Sequence, residues 1–199
     1  VESSIARSKS AVQEYALCND WDWFVTLTID KEKYDRYNLK EYCKDLSRFL
    51  LNYNRYCKEE EKVKYLFIPE LHKDGAWHIH GLLKGIKEKD LITNENGYLS
   101  WKQYQEKFGF ISIGSIKDKK RVSSYIQKYI NKDMGKDNKE LNNHLYYCSK
   151  GLKKAELLYK GSDVVLLCDW DYESQDGYCR VKMLDSSIMD YKNFIRIIE

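Results

Sequence analysis

The run WHIHG, residues 77–81, sets His78 and His80 one residue apart in a chain that has only four histidines. The stretch AWHIHGLL (76–83) reads as a β-strand. Strand side chains alternate, so both imidazoles leave on one face, with Trp77, Ile79 and Gly81 on the other. Such a pair is half of a metal site. A second strand, VKYLFIPEL (63–71), precedes it across HKDG, and the two read as a β-hairpin. If Lys73-Asp74-Gly75 forms a three-residue loop with Gly75 left-handed, His72 opposes Ala76 and Glu70 opposes His78. Glu70, His78 and His80 then share a face; a two-residue loop would shift the register by one and send Glu70 to the opposite side. Two imidazoles and a carboxylate leave coordination positions open, which suits catalysis at a phosphoryl oxygen better than a closed structural site. The plainer alternative is a pair of partly buried histidines satisfied by hydrogen bonds. His72 and His144 lack such partners and are expected in a turn or on the surface.

The second chemical cluster is YIQKYINKD, 125–133. On a helix, Val122, Ile126 and Ile130 form an apolar stripe, with Tyr125, Tyr129 and Lys132 along its flank. Tyrosines beside such a stripe are commonly core edges. Beside a metal that activates a phosphate they are also two candidate nucleophiles at i and i+4, with Lys128 and Lys132 each three residues after a tyrosine. A phenol with a pKa of about 10 needs a nearby ammonium or metal to attack.

These groups must be held by elements, and the pattern supplies them. Residues 3–17 read as a helix, WDWFVTLTID (21–30) as a strand, and 38–58 as a long helix capped by Asn38. After the hairpin, 84–109 reads as a polar loop with a short helix near WKQYQEKFG, and FISIGSIKD (110–118) as a strand. A helix is expected from Lys119 to about Met134, capped by Asp118 and stopped by Gly135. DVVLLCDW and YCRVKML read as strands around an Asp176-Gly177 turn, followed by a closing helix. The interleaving predicts an α+β fold with a central, mainly antiparallel sheet flanked by helices. The 199 residues are expected to form one domain, with a motif-bearing core at 20–152 and an extension at 153–199. A formal charge of +3 does not by itself announce nucleic acid. Six cysteines without a CxxC pair, and no signal-like or long apolar run, predict a reduced cytosolic protein without a membrane segment.

The order FVTLT (24–28), HIH (78–80) and YIQKYINKD (125–133) resembles the three motifs of HUH endonucleases, specifically the rolling-circle replication initiators of phages and plasmids. PELHKDGAWHIHGLL resembles phage and prophage replication proteins of Gram-positive hosts, and Tyr-x-x-Lys-Tyr-x-x-Lys is similar to the two-tyrosine branch. SKGL, 149–152, is also similar to prophage members. The resemblance implies an RRM-like core and a nicking and joining reaction on single-stranded origin DNA, in a hairpin or loop. A 5′-phosphotyrosine would form and a 3′-hydroxyl primer would be released. Glu70, eight residues before His78, resembles the third metal ligand of viral initiators. Mg²⁺ or Mn²⁺ is implied; two histidines favour Mn²⁺, and zinc also fits. YINKD resembles the motif of single-tyrosine initiators, which assigns the first cut to Tyr129, phosphate positioning to Lys132, and the second transfer to Tyr125.

For DNA contact the candidates are the Thr26 and Thr28 hydroxyls, Lys119, Lys120 and Arg121 within the basic run Lys117–Arg121, and Lys150–Lys154. Trp77, Trp101 and Tyr104 are candidates to stack on bases, Trp77 also being placed for the core. The sequence has no GxxxxGK[ST], so a host helicase and polymerase are expected partners, in the cytoplasm of a bacterial host. A relaxase or single-strand transposase is the rival within the superfamily, and a non-catalytic nucleic-acid-binding domain the rival outside it.

Overall fold

A computed structural model describes residues 2–93, 97–130 and 144–156, together with short strand segments at 164–166, 172–173, 180–181 and 195–197. The chain divides into two compact units, Val1–Ala155 and Glu156–Glu199.

In the first unit the order is α1 (Glu2–Cys18), β1 (Trp23–Thr28), α2 (Leu39–Tyr53), β2 (Lys64–Leu71), β3 (Trp77–Lys84), β4 (Leu91–Thr93), β5 (Leu99–Trp101), α3 (Lys102–Lys107), β6 (Ile111–Ser115), α4 (Lys119–Ile126) and β7 (Tyr147–Cys148). The seven strands make one sheet in the order β4-β5-β6-β1-β3-β2-β7. Each pairing in it is antiparallel, which is an α+β fold.

Helix α2 buries Leu39, Tyr42, Leu46 and Leu50, spaced to face one way. Its start is fixed by Asn38, whose Oδ1 accepts from the Glu41 N–H at 3.1 Å. It ends at Tyr53, short of the expected 58, because Asn54 turns away to hold Val63 by both backbone groups, at 3.0 and 2.8 Å. Cys43, Leu46 and Leu50 meet Tyr65, Phe67 and Ile79, so α2 covers the sheet face opposite the histidines. On the histidine face α4 is packed by α1.

The expected loop at 84–109 contains two short strands, β4 and β5, besides α3. Trp101 and Tyr104 are fully buried there: Phe49 packs on Trp101, and the Tyr104 hydroxyl bonds that of Tyr42 at 2.6 Å. With Trp77 also buried, none of the three aromatics expected to stack on bases reaches solvent. Asp118 caps α4 as expected, accepting from Arg121 N–H at 3.0 Å. The helix then tightens to a 3₁₀ turn over Gln127–Tyr129 and Ile130 is extended, which ends it before the expected Met134. Lys132 and Gly135 lie outside the described residues.

The second unit holds β8 (Val164–Leu166) paired with β11 (Ile195–Ile197), and β9 (Tyr172–Glu173) paired with β10 (Arg180–Val181). The Asp176-Gly177 turn lies outside the described residues. So does the expected closing helix, apart from Ile195–Ile197, which is strand.

Candidate active site

The hairpin turn sets the site. His72 N–H donates to Ala76 C=O at 2.9 Å, Gly75 N–H donates back to His72 C=O at 2.9 Å, and Gly75 takes φ 82°. This is the three-residue loop, and it pairs Glu70 with His78 and Ile68 with His80. The turn is braced from outside, since Arg36 reaches Asp74 at 3.0 Å and accepts the Trp77 N–H at its carbonyl. Behind the histidines the Phe67 ring lies across Gly81, where a Cβ would sit 2.3 Å from Phe67 Cδ1 and 2.5 Å from the Leu66 carbonyl oxygen.

Glu70, His78 and His80 share one face, as the register requires. Glu70 Oε2 lies 2.7 Å from His80 Nε2 and 3.7 Å from His72 Nε2. Donor atoms of Glu70, His72 and His80 all lie within 4.8 Å of one another, a group that could hold a metal ion. The third donor is therefore His72, where the sequence pointed to His78; Gly75 folds the strand end back and brings His72 over the cluster. His78 lies beside it, its ring stacked on that of His72 at 3.8 Å.

The chemistry of these donors fits a divalent ion. Burial holds His80 below the ordinary imidazole pKa, against the pull of the Glu70 carboxylate, and burial followed by the neighbouring His72 does the same for His78. Neutral imidazole is the ligating form. Thr26 Oγ1 lies 3.1 Å from His80 Nδ1, and Thr28 Oγ1 lies 3.4 Å from His78 Nδ1. A hydroxyl both donates and accepts, so Thr26 matches either tautomer of His80: Nε2–H bonded to Glu70, or Nε2 free for an ion. The two threonine hydroxyls expected to contact DNA are thus turned onto the histidines.

Helix α4 brings the tyrosines to this cluster. The Tyr129 ring stacks on His80 at 3.8 Å, nearly parallel, and Phe24 packs against both tyrosines. Tyr129 is 8% exposed and Tyr125 44%. The Tyr129 hydroxyl donates to the Tyr125 hydroxyl at 3.1 Å, and the Lys128 ammonium sits 3.5 Å from the Tyr125 ring centre. Lys128 and then the Tyr129 bond hold the Tyr125 phenol below its ordinary pKa, whereas burial and the bond to Tyr125 push Tyr129 well up. Of the basic candidates, Lys120 and Arg121 are exposed and Lys119 pairs with Asp20 at 3.2 Å. None of these three is bonded to the tyrosine and histidine cluster. His72 and Phe110 are the residues that sequence reasoning passes over; for His72 the signal was its spacing of two from Glu70.

No helix among the described residues is long and apolar enough to cross a membrane. No curated protein and no solved structure matches the chain. A family model described as replication-associated protein, ORF2 type, matches residues 22–134, which spans β1, the hairpin and both tyrosines. The chain belongs to this family of rolling-circle replication initiators.

Proposed function

We propose that this chain starts rolling-circle replication by cutting and rejoining single-stranded DNA through a tyrosine, with a divalent ion held by Glu70, His80 and the His72–His78 pair. The observation that carries the reading is the unbroken run of contacts from Tyr125 through Tyr129 and His80 to Glu70. An exposed phenol is thereby tied to a set of metal donors.

In this reading Tyr125 makes the first cut, the reverse of the order drawn from the YINKD motif. Tyr125 is the accessible phenol, and both Lys128 and the Tyr129 hydroxyl favour its deprotonated form. Its oxygen attacks the phosphorus and the bond to the 3′ oxygen breaks. The products are a 5′-phosphotyrosine and a 3′ oxyanion that takes a proton from solvent. Rejoining runs the same exchange backwards, with a 3′-hydroxyl attacking and the tyrosine leaving, so the bond energy is conserved. When bound, the ion would supply Lewis-acid stabilisation of charge on the phosphoryl oxygens. Thr26 and Thr28 orient the imidazoles, and Lys128 holds the phosphate beside Tyr125. Tyr129 acts in the second transfer once its bond to Tyr125 is broken. Lys132 is kept for the phosphotyrosyl product, and Lys119, Lys120 and Arg121 for more distant phosphates. Nitrogen donors favour Mn²⁺ over Mg²⁺, and zinc fits the same set. The 3′-hydroxyl would feed a host polymerase, with a host helicase opening the origin hairpin or loop.

The test is incubation with end-labelled single-stranded oligonucleotides, with Mn²⁺ or EDTA, and denaturing gels of the protein band. A covalent adduct on the fragment 3′ of the cut, present with Mn²⁺ and absent with EDTA, is expected. Tyr125→Phe should abolish it and Tyr129→Phe should retain it. Loss in Tyr129→Phe with retention in Tyr125→Phe restores the other order, and no adduct from DNA that binds removes the reaction.

A further inference from the structure

We propose that Phe110, with Ser112 and Gly114 beside it, forms a base-stacking subsite for single-stranded DNA on the histidine face of the sheet.

The register places it. Thr26 pairs with Ser112 and Phe24 with Gly114, and the Thr28 N–H donates to the Phe110 carbonyl at 2.9 Å, one step further along the same ladder. Thr28 in turn faces His78 on the next strand. Phe110 is therefore two strand spacings, about 10 Å, from His78. Alternation fixes its direction, because Ile111 is fully buried on the α2 face while Phe110 is 48% exposed.

A single exposed phenylalanine needs no explanation by itself. What distinguishes this one is its setting. Ser112 and Gly114 are exposed, and a Cβ on Gly114 would meet only the Phe24 carbonyl oxygen, at 3.8 Å. Among the described residues no aromatic ring packs on Phe110. The ring thus stands at the edge of a lane of small side chains that leads to the metal donors and Tyr125. Every base offers a π-face, so a platform here serves single-stranded DNA of any sequence. Strand β6 then runs into Lys117–Arg121, where Lys120 and Arg121 are exposed to meet phosphates. The aromatics expected to stack on bases are in the core, and Phe110 supplies the surface they do not.

The subsite rests on the nicking reading for its ligand, so its test is run without chemistry. Binding of a fluorescein-labelled oligothymidylate is followed by anisotropy in EDTA across a range of salt. Phe110→Ala should weaken binding roughly five- to 150-fold, the span of one lost base–aromatic stack. Phe110→Trp should restore it, and the slope of log affinity against log salt should stay unchanged because no charge is moved. Equal binding by wild type and Phe110→Ala, no rescue by tryptophan, or no binding by wild type each overturns the subsite. A Phe110 effect in a protein that forms no covalent adduct keeps the subsite and removes the reaction. Self-association lost in Phe110→Ala, with DNA binding unchanged, would assign the face to a second copy of the chain instead.

Discussion

A phenol of ordinary acidity, with a pKa of about 10, is a poor nucleophile at neutral pH, so the surroundings of Tyr125 set the speed of the proposed cut. The attacking form is the phenolate, and a lowered pKa moves its appearance to lower pH. Adduct formation should therefore rise with pH and level off below the ordinary phenol range. Lys128→Met removes the largest cause of the lowering and should move that rise to higher pH. An unmoved profile in pre-steady-state adduct assays would show that Lys128 does not tune the phenol. The donor set makes a second prediction at this scale. If His72 ligates, His72→Ala should weaken Mn²⁺ binding at least about tenfold by calorimetry, since outer partners of ligands already cost roughly 10–100-fold. Unchanged binding in His72→Ala, with loss in His78→Ala, would return the set to the one read from the HxH motif.

At the scale of elements, the hairpin carries most of the site's precision, and Gly81 is where it is tightest. A methyl group there meets both the Phe67 ring and a backbone oxygen. Gly81→Ala should cost about 1–3 kcal/mol in urea denaturation, with metal affinity falling as β3 shifts. A neutral substitution would mean that Phe67 swings clear. The hairpin register is legible in the sequence because Lys73-Asp74-Gly75 specifies a turn type, and turn type specifies which side chains share a face. The helix α2 and its Asn38 cap are legible for the same local reason. Strands β4 and β5 are not, since three residues are too few to display an alternation. The end of α4 is hidden because the apolar stripe through Ile126 and Ile130 continues where the backbone leaves the helix. Trp101 and Tyr104 offer no local sign of burial, which comes from Phe49 and Tyr42 on a distant helix. His72 becomes a donor only through the fold-back at Gly75, and Phe110 is a single aromatic with no period to betray its face.

For the whole molecule, one polar link ties the far end of the sheet to α2. Asp90 is buried and accepts from Tyr53 at 2.5 Å and from Gln103 at 2.6 Å. Burial raises its pKa, but these two bonds outweigh it and hold the carboxyl below its ordinary range. Its stabilisation is then complete above the unfolded pKa of about 4 and is lost as pH falls through the lower folded value. Asp90→Ala should lose about 1–3 kcal/mol at neutral pH, because two donors lose their acceptor, and should show a flatter acid limb in denaturation profiles. An acid limb identical to wild type would place the acid sensitivity elsewhere. The two halves of the site also differ in how far apart their parts lie along the chain. Glu70 and His80 are ten residues apart across one tight turn, whereas Tyr129 meets His80 only after β4, β5, α3 and β6 have been laid down. In terms of loop closure the donors are a local contact and the proposed nucleophile a remote one. A chain growing from its N-terminus therefore holds a finished cation cradle before it possesses a tyrosine to cut with.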